Sequence, residues 1–218
     1  MQISPHVVSD VMTGAVVAVG RDAPFKDIVR LMERWEVSAL PVLEGEGRVI
    51  GVVSEADLLP KEEFREDVPD RFTQRQRLSD LARAGALTAE EAMSSPAVTV
   101  HGTTTLAEAA RIMARRHVKR LPVIDGEGKL EGVVSRSDLL KVFLRDDEEL
   151  TEEVRHEVVD SLFPLSADHI RVEVSEGVVT LTGWVDSAEL VAVAERLARA
   201  VEGIVDVRCH LAGGSGVR

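Results

Sequence analysis

An internal repeat without gaps is the feature that most restricts the fold of this chain. Residues 12–59 align with residues 93–140 at a constant offset of 81 positions, with roughly 20 identities in about 48 positions. The matched segments include Leu-Pro-Val, Gly-Glu-Gly and Gly-Val-Val-Ser followed by Asp-Leu-Leu. The repeat therefore predicts two copies of one small structural unit.

Each copy has the same predicted order of elements. A short strand, Val16–Val19 or Ala97–Val100, precedes a helix whose apolar residues recur at spacings of three and four. Two strands then form a hairpin through Gly-Glu-Gly, and a second helix begins at the Ser-x-x-Asp step. The predicted hairpins are Leu40–Leu43 with Val49–Val53 and Leu121–Ile124 with Leu130–Val134. Because one β-α-β-β-α unit leaves a sheet face uncovered, we expect the two copies to pack sheet to sheet.

The segments outside the repeat have different patterns. The charged stretch after Pro60 predicts a connector with a helix from Arg71 to Ala84. Beyond the acidic run 146–149, a helix, two strands, a second helix capped by Asp186 and Glu189, and a last strand are expected. The fold class is therefore α/β (α+β), with a pseudo-twofold pair of motifs and a small C-terminal α/β sandwich. We expect the boundaries to be 1–60 for the first motif, 61–91 for the connector, 92–147 for the second motif and 148–218 for the tail domain.

The charge of the chain restricts its partners. The formal net charge is −12, and only 3% of the residues are aromatic. Such a chain repels a phosphate backbone and has few rings on which bases could stack, so nucleic acid is not an expected partner. Residues 92–141 differ, because they carry a net charge of +3.

The repeated segments resemble a known family. The duplicated Leu-Pro-Val, the Gly-x-x-Ser-x-x-Asp element and the β-α-β-β-α order resemble the CBS motif, and the pair over residues 8–144 resembles a Bateman module. The tail, with Val-x-Val-x-x-Gly-Val-Val-Thr-Leu-x-Gly at 172–183, resembles a BON domain. The first resemblance implies an adenosine ligand such as AMP, ADP, ATP or S-adenosylmethionine between the motifs, and a disc-shaped homodimer. The second implies membrane or phospholipid association, although the chain shows no export signal.

Two strand-to-helix junctions carry the candidate ligand chemistry. Ser135 and Asp138 in the second motif, like Ser54 and Asp57 in the first, have the spacing of a helix capping box. A carboxylate in the same place can accept hydrogen bonds from both hydroxyls of a ribose. The resemblance implies the second role for Asp57 and Asp138, and both roles are compatible.

Other residues near these junctions are candidates for phosphate and purine contacts. Three cations, Lys119, Arg120 and Arg136, suit a phosphate, or are simply solvated charges. Four apolar residues are candidate walls for a purine, or simply core: Val17, Pro41, Val98 and Pro122. At the positions matching His117 and the three cations the first motif has Glu36, Ser38, Ala39 and Glu55. We therefore expect tighter nucleotide binding at the second motif.

Catalysis is not expected from this sequence. His101, His117 and the pair Cys209-His210 lack the spacing of metal ligands, and no nucleophile with a neighbouring base or phosphate-binding glycine loop is recognisable. We expect neither a metal nor a catalytic cofactor. The lone Cys209 and the lack of a long apolar segment indicate a cytoplasmic protein.

The function predicted from the sequence is a regulatory sensor of adenine nucleotides that signals through a conformational change. The alternative is a ligand-independent dimeric adaptor whose tail domain recruits a membrane or an unknown protein partner.

Overall fold

A computed structural model describes residues 6–64 and 78–213 of the chain. Two compact units are present, one of residues 7–138 and the other of residues 139–213 together with His6. The first unit contains both copies of the repeat, and the second contains the tail.

The first motif follows the predicted order with one shortened strand. Its elements are α1 (Val8–Val11), β1 (Val19–Gly20), α2 (Phe25–Trp35), β2 (Ala39–Glu44), β3 (Arg48–Ser54), α3 (Glu55–Leu58) and α4 (Pro60–Glu63). Strand β1 runs parallel to β2, and β2 pairs antiparallel with β3. The predicted strand Val16–Val19 was wrong in extent, because strand pairing begins only at Val19, opposite Val42.

The connector and the second motif give a similar picture. They contain α5 (Leu78–Ala84), α6 (Ala89–Ala92), α7 (Leu106–Arg116), β4 (Arg120–Ile124), β5 (Leu130–Ser135) and α8 (Arg136–Leu140). The predicted strand Ala97–Val100 makes a single bridge, from Val100 to Val123. The predicted connector helix is present as α5, while its residues 71–77 lie outside the described part of the chain.

Matched positions of the repeat form matched core contacts. Leu40, Val42 and Val53 have 0% of their surface exposed, and so do Leu121, Val123 and Val134, which lie 81 positions later. Both long helices also end the same way, at Glu36 and His117 in the left-handed conformation. The duplicated sequence thus produces duplicated packing, which explains why the apolar pattern predicted both hairpins.

The two motifs exchange their leading segments, which are residues 12–18 of the first motif and residues 93–99 of the second. Thr13, which precedes β1 in the first motif, makes two backbone hydrogen bonds to Val133 in β5, each 3.0 Å long. Ser94, near the start of the second motif, pairs in the same way with Val52 in β3, at 2.9 and 3.1 Å. Thr13 matches Ser94, and Val52 matches Val133, at the offset of 81. The two pairings are therefore equivalent, as expected for two motifs related by a pseudo-twofold axis.

Glycine makes room for this exchange. A Cβ atom on Gly132 would lie 2.7 Å from Sδ of Met12 and 3.0 Å from the carbonyl oxygen of Thr13. Gly51 lies in the same way beneath Met93 and Ser94. The first residue of each Gly-x-x-Ser-x-x-Asp element must therefore be glycine, because the other motif's leading segment passes too close for a Cβ atom.

The turn of the second hairpin is held by one carboxylate. Oδ1 of Asp125 accepts hydrogen bonds from the backbone amides of Lys129, at 2.9 Å, and Glu127, at 2.8 Å. The hydrogen bond from the Lys129 amide is the main reason that the pKa of Asp125 lies below its usual value. The first hairpin differs here, because the matched Glu44 pairs with the side chain of Arg21.

The C-terminal unit is a three-stranded sheet covered by helices. It contains α9 (Asp147–Val154), which continues as a wider helical turn through Asp160, then β6 (Ile170–Ser175), β7 (Val178–Val185), α10 (Val191–Ala200) and β8 (Asp206–Gly213). Strand β7 lies in the centre, antiparallel to β6 and parallel to β8. Its core includes the fully buried Phe163, Val179 and Leu181.

The predicted cap of the last helix was wrong. Asp186 lies beside Ser166 instead, whose hydroxyl donates to Oδ1 of Asp186 at 2.8 Å. Because Ser166 is 1% exposed, this hydrogen bond satisfies a buried hydroxyl. Helix α10 begins only at Val191, after a short turn at 188–190.

Across the described residues, no helix combines the length and apolar character that crossing a bilayer requires.

Candidate functional site

Both strand-to-helix junctions form the same hydrogen-bonded cap. Oδ2 of Asp57 accepts from the amide of Ser54 at 2.9 Å and from its hydroxyl at 2.5 Å. Oδ2 of Asp138 accepts from the amide and hydroxyl of Ser135 at 2.9 and 2.6 Å. The capping role expected from the spacing is therefore present at both junctions, and it uses one oxygen of each carboxylate.

The second oxygen of Asp57 faces the exchanged segment. Its Oδ1 accepts from the hydroxyl of Ser94 at 3.1 Å and lies 3.3 Å from Nη2 of Arg83 on α5. The same Nη2 donates to the Ser94 hydroxyl at 3.0 Å. Asp57 is consequently only 8% exposed, and the first junction combines residues of the first motif, the connector and the start of the second motif.

Ser94 and Arg83 were missed by the sequence reasoning, for different reasons. Ser94 matches Thr13 at the offset of 81, so a side-chain hydroxyl recurs at this position in both leading segments. This recurrence could have identified Ser94 as a site residue. Arg83 belongs to the connector, which has no counterpart elsewhere in the chain. A pattern based on repetition could not find it.

The second junction differs from the first in its burial. Asp138 is half-buried, and the hydroxyl of Ser135 also lies 2.8 Å from that of Ser137. Thr13 pairs with Val133, two residues before Ser135, and so places the first motif's leading segment beside this junction.

The three predicted cations have different surroundings. Arg136 donates from Nη2 to the carbonyl oxygen of Val118 at 3.0 Å, and its amide donates to the carbonyl oxygen of Lys119 at 3.1 Å. Both side chains are exposed beside the second junction. Arg120 is placed elsewhere, because it lines a groove of about 750 Å³ on the first motif together with Glu36 and Glu55.

The four candidate wall residues also separate into two groups. Pro41 and Pro122 are buried inside strands β2 and β4, opposite Val52 and Val133. Val17 and Val98 are half-buried in the leading segments. The valines therefore have surface available to a ligand, whereas the prolines are buried.

Two of the histidines considered as metal ligands have other positions in the fold. Nδ1 of His101 lies 2.9 Å from the carbonyl oxygen of Ile124, and His117 occupies the end of α7. In residues 6–64 and 78–213 there is no group of three histidine, cysteine or acidic side chains that could hold a metal ion.

Comparison with known protein families identifies both units. Residues 8–61 and 89–145 match the CBS domain, and residues 146–213 match the BON domain. The chain is a tandem CBS-domain protein with a C-terminal BON domain. In a CBS pair of this kind, the paired junctions at Asp57 and Asp138 belong to the two copies of the domain.

Two relatives show how far the similarity of this CBS–BON protein extends. The uncharacterized protein MJ1426 of Methanocaldococcus jannaschii is 26% identical over 154 residues, which cover 63% of this chain and 91% of that protein. The inosine-5'-monophosphate dehydrogenase of the same organism is 26% identical over 132 residues, 61% of this chain and 22% of the enzyme. The chain thus spans less than a quarter of the length of that enzyme.

Solved structures share the fold of the CBS pair. The structure of CBSX2 in complex with AMP has a TM-score of 0.57 and 27% identity, and covers 64% of this chain and 97% of that one. CBSX2 is an Arabidopsis thaliana protein. The M. jannaschii protein MJ1225 has a TM-score of 0.51 and 26% identity, over 64% of this chain and 48% of that protein.

Proposed function

We propose that this protein is a regulatory sensor of adenosine-containing ligands, of the class AMP, ADP, ATP or S-adenosylmethionine. The observation that most strongly supports this function is the carboxylate at each Ser-x-x-Asp junction, next to the leading segment of the other motif. A ligand bound there contacts both motifs at once. Such a ligand can bind one arrangement of the two motifs more tightly than another and so shift the equilibrium between them. A sensor requires this shift.

The ribose is the part of the ligand that these junctions suit best. An ionised carboxylate has about four lone-pair sites, so it can hold its capping serine and also accept from the 2'- and 3'-hydroxyls of a ribose. In this proposal Asp57 and Asp138 hold the ribose, and Ser54 and Ser135 orient them. Val17 and Val98 contact the purine, with Pro41 and Pro122 as the layer behind.

Phosphate recognition is proposed for the second junction. Lys119 and Arg136 are exposed beside Ser135 and Asp138, and a charge-assisted hydrogen bond to a phosphate contributes about 1.5 to 3 kcal/mol. Arg120 is a weaker candidate than the sequence suggested, because it lies among glutamates in the first-motif groove. The similarity to CBSX2, which binds AMP, supports the ligand class without choosing among its members.

A thermal-shift experiment tests this function directly. A ligand at 100 times its dissociation constant stabilises the folded state by about 2.7 kcal/mol, so at least one of AMP, ADP, ATP and S-adenosylmethionine should raise the melting temperature. The double variant Asp57→Ala/Asp138→Ala is the control and should lose the shift, and GMP should give a smaller one. A wild-type protein that none of the four ligands stabilises would refute the sensor.

The adaptor is the second candidate function. It is favoured by the apolar first-motif groove, in which Val29 is 43% and Leu59 64% exposed, because such a surface suits a protein partner. Here the CBS pair is a homodimeric scaffold, and the BON domain recruits another molecule. We propose a homodimer under both functions, and the adaptor is preferred if the dimer forms without any response to adenosine ligands. Neither function gives the protein a catalytic step of its own.

A further inference from the structure

The first-motif groove has an acidic rim. It lies between α2 and the α3–α4 turn, where the apolar side chains Phe25, Met32 and Leu58 line it. Arg120 lines the groove as well, but glutamates predominate around it. The four glutamates are all exposed: Glu33, Glu36, Glu55 and Glu62. An apolar surface of this kind, surrounded by like charges, is suited to a partner with complementary charge.

The matched surface of the second motif has the opposite charge. At the offset of 81, Glu36 is replaced by His117 and Glu55 by Arg136, while Ser38 is replaced by Lys119. All three replacements are exposed: His117 at the end of α7, Lys119 just before β4 and Arg136 at the β5–α8 junction. One chain therefore contains an acidic and a basic version of the same surface.

Side-chain size differs between the two surfaces as well. Val29 and Glu33 on α2 are matched by Ala110 and Ala114 on α7, and both alanines are exposed. Small side chains allow a second helix to approach closely. The side chains of the second-motif surface therefore project less than those of the first-motif surface. This leaves space for the larger side chains of α2.

We propose that the first-motif groove of one copy binds the second-motif surface of another copy, so that the protein is a head-to-tail homodimer. A twofold axis relates the two contacts, so each dimer contains the acidic-to-basic contact twice. The head-to-head alternative would place the four rim glutamates of one copy against those of the other, and like charges facing each other across an interface oppose association. This inference rests on the homodimer proposed above and adds its orientation.

The sign of a charge effect distinguishes the two orientations. Glu33→Gln/Glu36→Gln removes two rim charges with little change of shape. In the head-to-tail dimer this change removes attraction, so we expect the dissociation constant to rise by about three- to tenfold. In a head-to-head dimer it would remove repulsion, and the dissociation constant would fall. Glu46→Gln/Glu131→Gln, which neutralises two exposed glutamates outside the groove, is the matched control and should have little effect.

Salt should act in the same direction as the charge variant. Raising the ionic strength screens attraction between the acidic and basic surfaces, so the wild-type dimer should weaken between low and physiological salt. The glutamine variant should respond less. These measurements, by sedimentation velocity over a range of protein concentrations, are made without nucleotide because Lys119 and Arg136 are also the proposed phosphate ligands.

Cross-linking checks the orientation independently of charge. In the full chain with Cys209→Ser, one variant carries Glu33→Cys and another carries Ala114→Cys. A short bis-maleimide should join the two variants when they are mixed, and should join neither variant efficiently to itself. Efficient cross-linking of the Glu33→Cys variant alone, or a tighter dimer in the glutamine variant, would overturn the head-to-tail orientation while leaving the homodimer intact. A wild-type protein that is monomeric at every concentration would refute both.

Discussion

Nη2 of Arg83 lies 3.3 Å from Oδ1 of Asp57, on the side of the carboxylate that the capping serine does not use. The guanidinium also donates to Ser94, so the connector closes over the first junction. A ribose at Asp57 would have to compete with Arg83 for this oxygen. The connector thus adds a second reason, beyond the charges of Glu36 and Glu55, for weak binding at the first motif.

Arg83→Met should therefore open the first junction. Without the guanidinium, Oδ1 of Asp57 can accept from ligand hydroxyls, and we expect affinity at this junction to increase about tenfold, a change of about 1.4 kcal/mol. Calorimetric titration with AMP would show it as additional bound ligand per chain. Arg116→Met, on the exposed end of α7, is the control and should leave the stoichiometry unchanged. Reduced total binding in the Arg83 variant would instead assign Arg83 to the ligand.

Gly132→Ala should separate the two motifs. Its Cβ atom would meet Met12 and the carbonyl oxygen of Thr13, so the leading segment must shift away from β5. We expect the free energy of unfolding of the CBS pair to fall by about 1 to 3 kcal/mol, as in other overpacked sites, measured by urea denaturation. Gly126→Ala has no atom within 4 Å of the added Cβ and should cost much less. Equal losses in both variants would argue against the exchange.

The lowered pKa of Asp125 predicts a stability change in acid. Because hydrogen bonds from the amides of Lys129 and Glu127 favour its charged form, the stabilisation is present above the ordinary aspartate pKa of about 3.9. It is lost as the pH falls through the lower folded-state pKa. Asp125→Asn should therefore flatten the fall in stability between about pH 5 and pH 2. Thermal melts over this range check it, with Asp160→Asn as an exposed control; identical slopes for wild type and Asp125→Asn would contradict it.

The BON domain should not bind anionic membranes through charge. Residues 151–218 carry a net charge of −6, which a negative lipid surface repels over a Debye length of about 8 Å. The full chain should therefore stay in the supernatant when vesicles containing phosphatidylserine are sedimented at physiological salt. Vesicles of phosphatidylcholine alone provide the comparison for neutral contacts. Salt-sensitive sedimentation with the anionic vesicles would show that a local cationic surface overrides the net charge.

The predictable part of the fold follows from local patterns that occur twice. Gly-Glu-Gly turns and alternating apolar residues predicted both hairpins, and the matched burial of Leu40 and Leu121 reflects the same repetition. The first strands were predicted too long, because a run such as Val16–Val19 has strand propensity but finds a pairing partner only at its end. Strand propensity is a property of the segment alone, whereas strand pairing depends on which segment lies next to it in the fold.

The candidate site could be predicted only in part for the same reason. Ser54 and Asp57 are close in sequence, so their spacing predicted the cap that the structure shows. The contact of Asp57 with Ser94 depends on the exchange of leading segments, which the offset of 81 does not specify. Arg120 is the first residue of β4, one position before the predicted start of the strand at Leu121. Its side chain lines the groove of the first motif, and no local pattern indicates such a direction.

The most direct test of the whole account is calorimetric titration of AMP and ATP into the wild type, Asp138→Ala and Asp57→Ala. In the proposed sensor, the second junction binds more tightly because Lys119 and Arg136 lie beside it, whereas Ser38 and Glu55 occupy the matched positions of the first junction. We therefore expect Asp138→Ala to abolish high-affinity binding and Asp57→Ala to leave it nearly unchanged. High-affinity binding that is lost in Asp57→Ala and kept in Asp138→Ala would contradict the account, as would a wild-type protein that binds neither nucleotide.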